Sequence, residues 1–181
     1  MGLQIGDEAP GLPLMDEDGE RRSTPELWSD GPVVLLFTRH LGCAFCRDQL
    51  GQAKRHNAEV EAAGARIAAV TMAPPSTLSD VRASRELPFS LYSDVDQQVY
   101  AAFGAPRGSL NQVAGPAVWG AGASALARCG VGRPRGDLRQ LQSTFVVDRN
   151  GRIQFVNYPR TSAEQVDYTE VMAALAGLQD Q

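Results

Sequence analysis

The sequence predicts an α/β layer fold on a mixed sheet, and three observations lead there. Val33-Val34-Leu35-Leu36-Phe37 is a short apolar, β-branched run that suits a buried strand and is too short for a helix. A helical pattern follows at once: Cys46, Leu50, Ala53, Val60 and Ala63 recur at helical spacing, and Gly64 stands where a C-terminal cap glycine belongs. Thr144-Phe145-Val146-Val147-Asp148 and Arg152-Ile153-Gln154-Phe155-Val156-Asn157 flank Arg149-Asn150-Gly151, a strong hairpin signal. Helix-connected strands followed by a hairpin give a sheet with both parallel and antiparallel neighbours.

The elements follow in order. Leu12-Pro13-Leu14-Met15-Asp16 precedes Asp18-Gly19, a hairpin-turn pair, so two short strands cap one edge of the sheet. Ser23-Thr24-Pro25-Glu26-Leu27 offers a cap and an early-helix proline, a single turn that carries Trp28 towards the core. After the central strand and long helix, Arg66–Met72 reads as a second strand, ended by Pro74-Pro75. Ser76 is expected to cap a helix through Arg85, and Phe89-Ser90-Leu91-Tyr92 is a third strand. Asp94 is expected to cap a helix with Val95, Val99, Ala102 and Phe103 on one face, closed by Gly104. Ser162 and Gln165 form a capping-box pattern before a last helix that turns Val171, Met172, Leu175 and Leu178 inward.

Residues 104 to 136 differ in kind. Glycine, alanine and proline dominate, and no Asp or Glu occurs between Asp96 and Asp137, while Arg107, Arg128, Arg133 and Arg135 do. A loop with one helix around Ala117–Cys129 is expected here, inserted before the last strands. Its lack of stacking aromatics apart from Trp119 argues against a nucleic-acid face. A packed insertion or a homodimer contact fits better.

A chain of 181 residues suits one domain, 1–181, with length enough for a core. Apolar content of 43% against 21% charged is ordinary for a globular protein, and a net charge of −4 asks for neither nucleic acid nor an anionic membrane. No apolar run approaches the ~18 residues of a membrane span. Met1-Gly2-Leu3-Gln4-Ile5-Gly6-Asp7-Glu8 lacks the basic and apolar regions of a secretory signal, so a cytoplasmic location is expected.

The chemistry gathers at Arg39-His40-Leu41-Gly42-Cys43-Ala44-Phe45-Cys46-Arg47, where strand gives way to helix. Cysteines at a helix start meet unpaired N–H groups and the positive end of the helix dipole. Such thiols have pKa values lowered from ~8.5 to roughly 3.5–7.5, and the thiolate is the nucleophile. Arg39 and Arg47 flank the pair and add positive charge. His40 is near enough to carry a proton, and Cys129 is either a packed thiol or a resolving one. Half a zinc site is the rival reading, but tetrahedral zinc needs two further ligands, and Cys129, His40 and His56 supply no second closely spaced pair. No cofactor is implied.

With these residues in view, the chain resembles the thioredoxin fold in its AhpC/TSA, peroxiredoxin-like branch. Gly6-Asp7-Glu8-Ala9-Pro10 with Leu14, Asp16 and Gly19 resembles the opening of redoxin domains. Gly31-Pro32 with the run to Phe37 resembles their central strand, and Ser93-Asp94 with Tyr100 and Phe103-Gly104 resembles a peroxiredoxin helix. Thr144–Asp148 with Gly151 and Ile153 resembles their hairpin. The departures are equally specific. If Cys46 lies on the peroxide-attacking cysteine of that family, Cys43 replaces its Thr/Ser, Arg39 its proline and Gln142 its arginine. Compared with thioredoxins, Gly42 replaces the tryptophan and Ser143 stands where a cis-proline is expected. The pattern is closer to the peroxiredoxin-like subgroup that keeps the fold but has C-x-x-C in place of T-x-x-C. The resemblance implies a thioredoxin-like fold and a thiol redox enzyme. It would reduce a hydroperoxide or protein disulfide through a Cys43–Cys46 disulfide, reset by a thioredoxin-type reductant. Thioredoxin logic makes Cys43 the attacking thiol and the peroxiredoxin alignment makes it Cys46. A redox sensor or binding domain is the non-enzymatic alternative.

Overall fold

The computed structural model describes residues 2–130 and 137–179. Arg133 and Arg135 lie outside the described residues, as do the side chains of Arg128 and Cys129. The sheet has seven strands: β1 (Pro13–Met15), β2 (Arg21–Ser23), β3 (Val33–Phe37), β4 (Arg66–Thr71), β5 (Ser90–Ser93), β6 (Ser143–Val147) and β7 (Ile153–Asn157). Their spatial order is β2-β1-β5-β4-β3-β6-β7. β3, β4 and β5 run parallel, while β6 and β7 on one side and β1 and β2 on the other are antiparallel to their neighbours. The mixed sheet and its N-terminal hairpin are those expected.

β3 is buried on both faces, and successive side chains on a strand point oppositely. Val34 and Leu36 pack with Leu50, Ala53 and Val60 of α1 (Ala44–Ala62) and with Val171 and Leu175 of α6 (Tyr168–Gln179). Val33, Leu35 and Phe37 pack on the other face with Trp28, Phe103 and Phe145. Phe37 sits at the centre of that layer, its ring centroid 5.0 Å from Tyr100, 5.1 Å from Phe103 and 5.4 Å from Phe145. Tyr100 closes the layer by donating its hydroxyl to the Thr38 and Val70 carbonyls, which pins the end of β3 just before the cysteines. Phe37→Ala is expected to cost about 3–5 kcal/mol, since a ring is lost from a fully buried cluster. Urea unfolding checks this, and a loss under about 1 kcal/mol would mean that the neighbouring rings close the gap.

Several boundaries differ from expectation, each for a physical reason. Ser76 does not cap a helix: Pro75–Thr77 forms a 3₁₀ turn, and α2 (Leu78–Arg85) begins after it. Pro74-Pro75 fix the backbone there and delay the helix. β5 is shifted by one residue from the expected strand. Asp94 caps as expected, accepting from the N–H groups of Gln98, Val99 and Tyr100, but α3 starts only at Gln98 (Gln98–Ala102). Val95 therefore stays outside the helix and is 53% exposed. The Ser162/Gln165 capping box does not form, because tertiary acceptors take both side chains. Ser162 donates to the Val113 carbonyl at 2.9 Å and Gln165 to that of Phe45 at 3.4 Å. The helix begins at Tyr168, where Asp167 accepts from the Thr169 N–H at 2.8 Å.

Among its described residues the insertion holds two helices rather than one. In α4 (Leu110–Ala114), Ser109 and Gln112 make the reciprocal capping box, and α5 (Pro116–Cys129) follows. Val118 and Ala125 of α5 pack on Cys43, Ala44, Phe45 and Cys46, so the insertion roofs the first turn of α1.

Candidate active site

The end of β3 delivers Arg39 and His40, and the turn to α1 delivers the two cysteines. The Cys43 N–H donates to the His40 carbonyl at 3.0 Å, and the Cys43 carbonyl receives the Arg47 N–H, also at 3.0 Å. Cys43 is thus the N-cap residue of α1, in an extended conformation. Cys46 lies one turn further on, fully buried, while Cys43 keeps 8% of its surface exposed. Both are free thiols.

Arg39 reaches both sulfurs. Its backbone N–H donates to Cys46 Sγ at 3.2 Å, and its Nη1 lies 3.7 Å from Cys43 Sγ. The rest of the guanidinium is held by the Leu138 carbonyl, which accepts from Nε at 2.9 Å and also from Nη2. Arg47 points elsewhere: its Nη1 is 3.5 Å from where a Cβ on Gly130 would stand, at the far end of α5. The Arg39 guanidinium therefore lies against the thiol pair.

These surroundings drive the two thiols apart in acidity. The hydrogen bond from Cys46, the Cys46 and Phe45 N–H groups and the Arg39 charge hold Cys43 down to about 6, against the opposing effect of its burial. Burial drives Cys46 well above the ordinary thiol range, and the bond it donates to Cys43 and the negative charge there push the same way. Burial and the neighbouring Arg39 hold His40 down to about 4, so its imidazole is neutral near pH 7 and carries no charge to the thiolate. The Gln142 side chain is turned away, its Nε2 donating to the Glu164 carbonyl at 3.0 Å. Ser143 opens β6 and pairs with Phe37. Among the described residues, no three His, Cys, Asp or Glu side chains come together as a metal site. Nor is any helix among them long and apolar enough to cross a membrane.

A family model matches residues 5–156, nearly the whole sheet together with the cysteine turn. The chain belongs to the AhpC/TSA family. It is a thiol-dependent redox enzyme on a thioredoxin-like fold. It is similar to a Mycobacterium tuberculosis protein named as a peroxiredoxin, with 27% identity over 156 residues that cover 86% of this chain and 85% of the relative. Prostamide/prostaglandin F synthase of Salmo salar is 28% identical over 169 residues, covering 90% of this chain and 83% of its own. Among solved structures, a peroxidoxin of Mycobacterium tuberculosis superposes with a TM-score of 0.69 at 22% identity, covering 97% of this chain and 98% of that one. In this AhpC/TSA chain, a contact at the site with no counterpart in the sequence reading is Leu138, whose backbone carbonyl receives the Arg39 guanidinium. The signal was faint: Asp137, just before it, is the first acidic residue after Asp96.

Proposed function

We propose that this enzyme runs a dithiol–disulfide cycle in which Cys43 attacks and Cys46 resolves. Arg39 is the cation at the attacking sulfur, and Arg47 braces the first turn of α1 against α5. The observation that supports this order is the pairing of a low-pKa Cys43 beside the Arg39 guanidinium with a fully buried Cys46 whose thiol donates to it. With a hydroperoxide, the Cys43 thiolate attacks one oxygen, the O–O bond breaks, and the departing alkoxide or hydroxide takes up a proton. The Cys46 thiol then attacks the Cys43 sulfenic acid. The S–S bond forms, and the Cys46 proton leaves with the hydroxyl as water. With a protein disulfide, Cys43 forms a mixed disulfide that Cys46 resolves.

Either route ends in a Cys43–Cys46 disulfide, which a thioredoxin-type dithiol resets with two electrons. A reducing compartment such as the cytoplasm supplies that dithiol. A homodimer contact on the insertion would draw on Leu110 and Trp119, which are exposed apolar side chains among the described residues of α4 and α5. Peptide mapping after one equivalent of hydrogen peroxide tests the cycle. A Cys43–Cys46 bridge is expected as the main product, and a main product bridged to Cys129 would overturn the pairing.

A further inference from the structure

Arg39 is a long side chain whose value at Cys43 depends on being held still, and the Leu138 carbonyl holds it. That carbonyl shares a rigid, planar peptide group with the Arg139 N–H, and in a trans peptide the two point in opposite directions. The Arg139 N–H donates to Asp137 Oδ1 at 2.9 Å. Fixing the N–H end on the Asp137 carboxylate therefore aims the carbonyl end at the guanidinium. The carboxylate is itself held, because its Oδ2 lies 2.6 Å from Arg107 Nε. Three further bonds staple the turn to the segment around Arg107: Gly108 N–H to the Arg139 carbonyl at 2.7 Å, Leu141 N–H to that of Pro106 at 2.9 Å, and Gln140 Nε2 to the same Pro106 carbonyl at 3.1 Å. They fix where the turn lies. The Asp137 bond fixes how its Leu138–Arg139 peptide is rotated.

We infer that Asp137 is a positioning residue for the Cys43 thiolate, acting through the Leu138–Arg139 peptide and the Arg39 guanidinium. The inference rests on the reading of Cys43 as the attacking thiol. Among the described residues, the titratable and charged groups around that sulfur are Arg39 and the neutral Cys46 thiol, with His40 neutral, Arg47 turned to the end of α5, and the Arg107–Asp137 pair behind the turn.

The sign of the effect separates positioning from a plain field. Asp137 is an anion, so through its field alone its removal would make Cys43 more acidic. Positioning predicts the reverse. Asp137→Ala frees the peptide, loosens Arg39 and makes Cys43 less acidic, by about half a unit. Iodoacetamide alkylation near pH 5 should then slow roughly threefold, because the thiolate fraction falls tenfold per unit below the pKa. Two further variants split geometry from charge. Asp137→Asn keeps an acceptor at the Oδ1 position without the charge, and should alkylate at least as fast as the parent. Asp137→Glu keeps the charge but carries the carboxylate past the N–H, and should behave like Asp137→Ala. In an Arg39→Ala background, Asp137→Ala should produce no further change.

All variants are compared on the full chain after circular dichroism has shown them folded. Faster alkylation in Asp137→Ala, or an unchanged rate in Asp137→Glu, would overturn the inference, as would an additive effect on top of Arg39→Ala. Mass spectrometry of the alkylated site keeps the two readings apart. Label on Cys46 first would sink the reading of Cys43 itself and this inference with it. Label on Cys43 with no response to Asp137 would sink this inference alone.

Discussion

Cys43→Ser is expected to abolish turnover with hydroperoxides and disulfides alike, whereas Cys46→Ser should keep the first oxidation and stop there. At pH 7 a thiol with a pKa near 6 is roughly 90% thiolate, and an ordinary one near 8.5 is about 3%. Low-pKa thiolates are weaker nucleophiles, which returns part of that advantage. Access decides the rest. Cys46 has no exposed surface and lies under α5, and its acidity is pushed the unfavourable way. Its value is as a neutral thiol already hydrogen-bonded to the sulfur it must join. The Cys46→Ser variant should therefore accumulate a Cys43 sulfenic acid that a dimedone-type reagent traps, with second-turnover activity near background. The alkylation rate of Cys43 should be flat above about pH 6 and fall about tenfold per unit below it. If Cys43→Ser still consumes one equivalent of peroxide at the parent rate, with Cys46 oxidised, the roles are those of the T-x-x-C alignment and the proposed order is wrong.

The strand-to-helix turn was legible because it is local: β3 is an apolar run, α1 carries a helical repeat, and Gly64 takes a positive φ at its end. That placed both cysteines at a helix start. Their covering comes in part from Val118 and Ala125, far along the chain, and no local pattern encodes that contact. Ser162 and Gln165 show the opposite failure. Their spacing is a genuine capping pattern, but the Val113 and Phe45 carbonyls compete for the same donors and win. Arg39 and Arg47 were equivalent as flanking cations until the fold turned one to the thiols and the other to the end of α5. The Leu138 carbonyl had no side-chain signature at all, since any residue there supplies the same acceptor.

Peroxide should oxidise the reduced enzyme about 10²–10³-fold more slowly than it oxidises a peroxiredoxin with its full donor set. Breaking the O–O bond places negative charge on the departing oxygen, and fixed donors aimed at that charge are worth about that factor in rate. Here Cys43 stands where that family has a hydroxyl, and Gln142 where it has an arginine. Gln142 does not substitute for the guanidinium: only 4% of its surface is exposed, its amide N–H is taken by the Glu164 carbonyl, and its Oε1 is an acceptor. Arg39 restores part of the loss, yet two of its nitrogens already serve the Leu138 carbonyl, which leaves Nη1 for the sulfur and the incoming oxygen. Disulfide exchange asks for less. It needs a thiolate with access and a resolving thiol close by, and the thiolate leaving group forms without a dedicated oxyanion site. Stopped-flow oxidation by hydrogen peroxide and by an organic hydroperoxide, beside an insulin-type disulfide assay, measures both. Peroxide rates equal to those of a full peroxiredoxin would show that Arg39 supplies the missing donors alone, and Arg39→Ala should then remove the whole advantage. Inactivity in both assays would leave the disulfide as a signal, formed slowly and read by a partner.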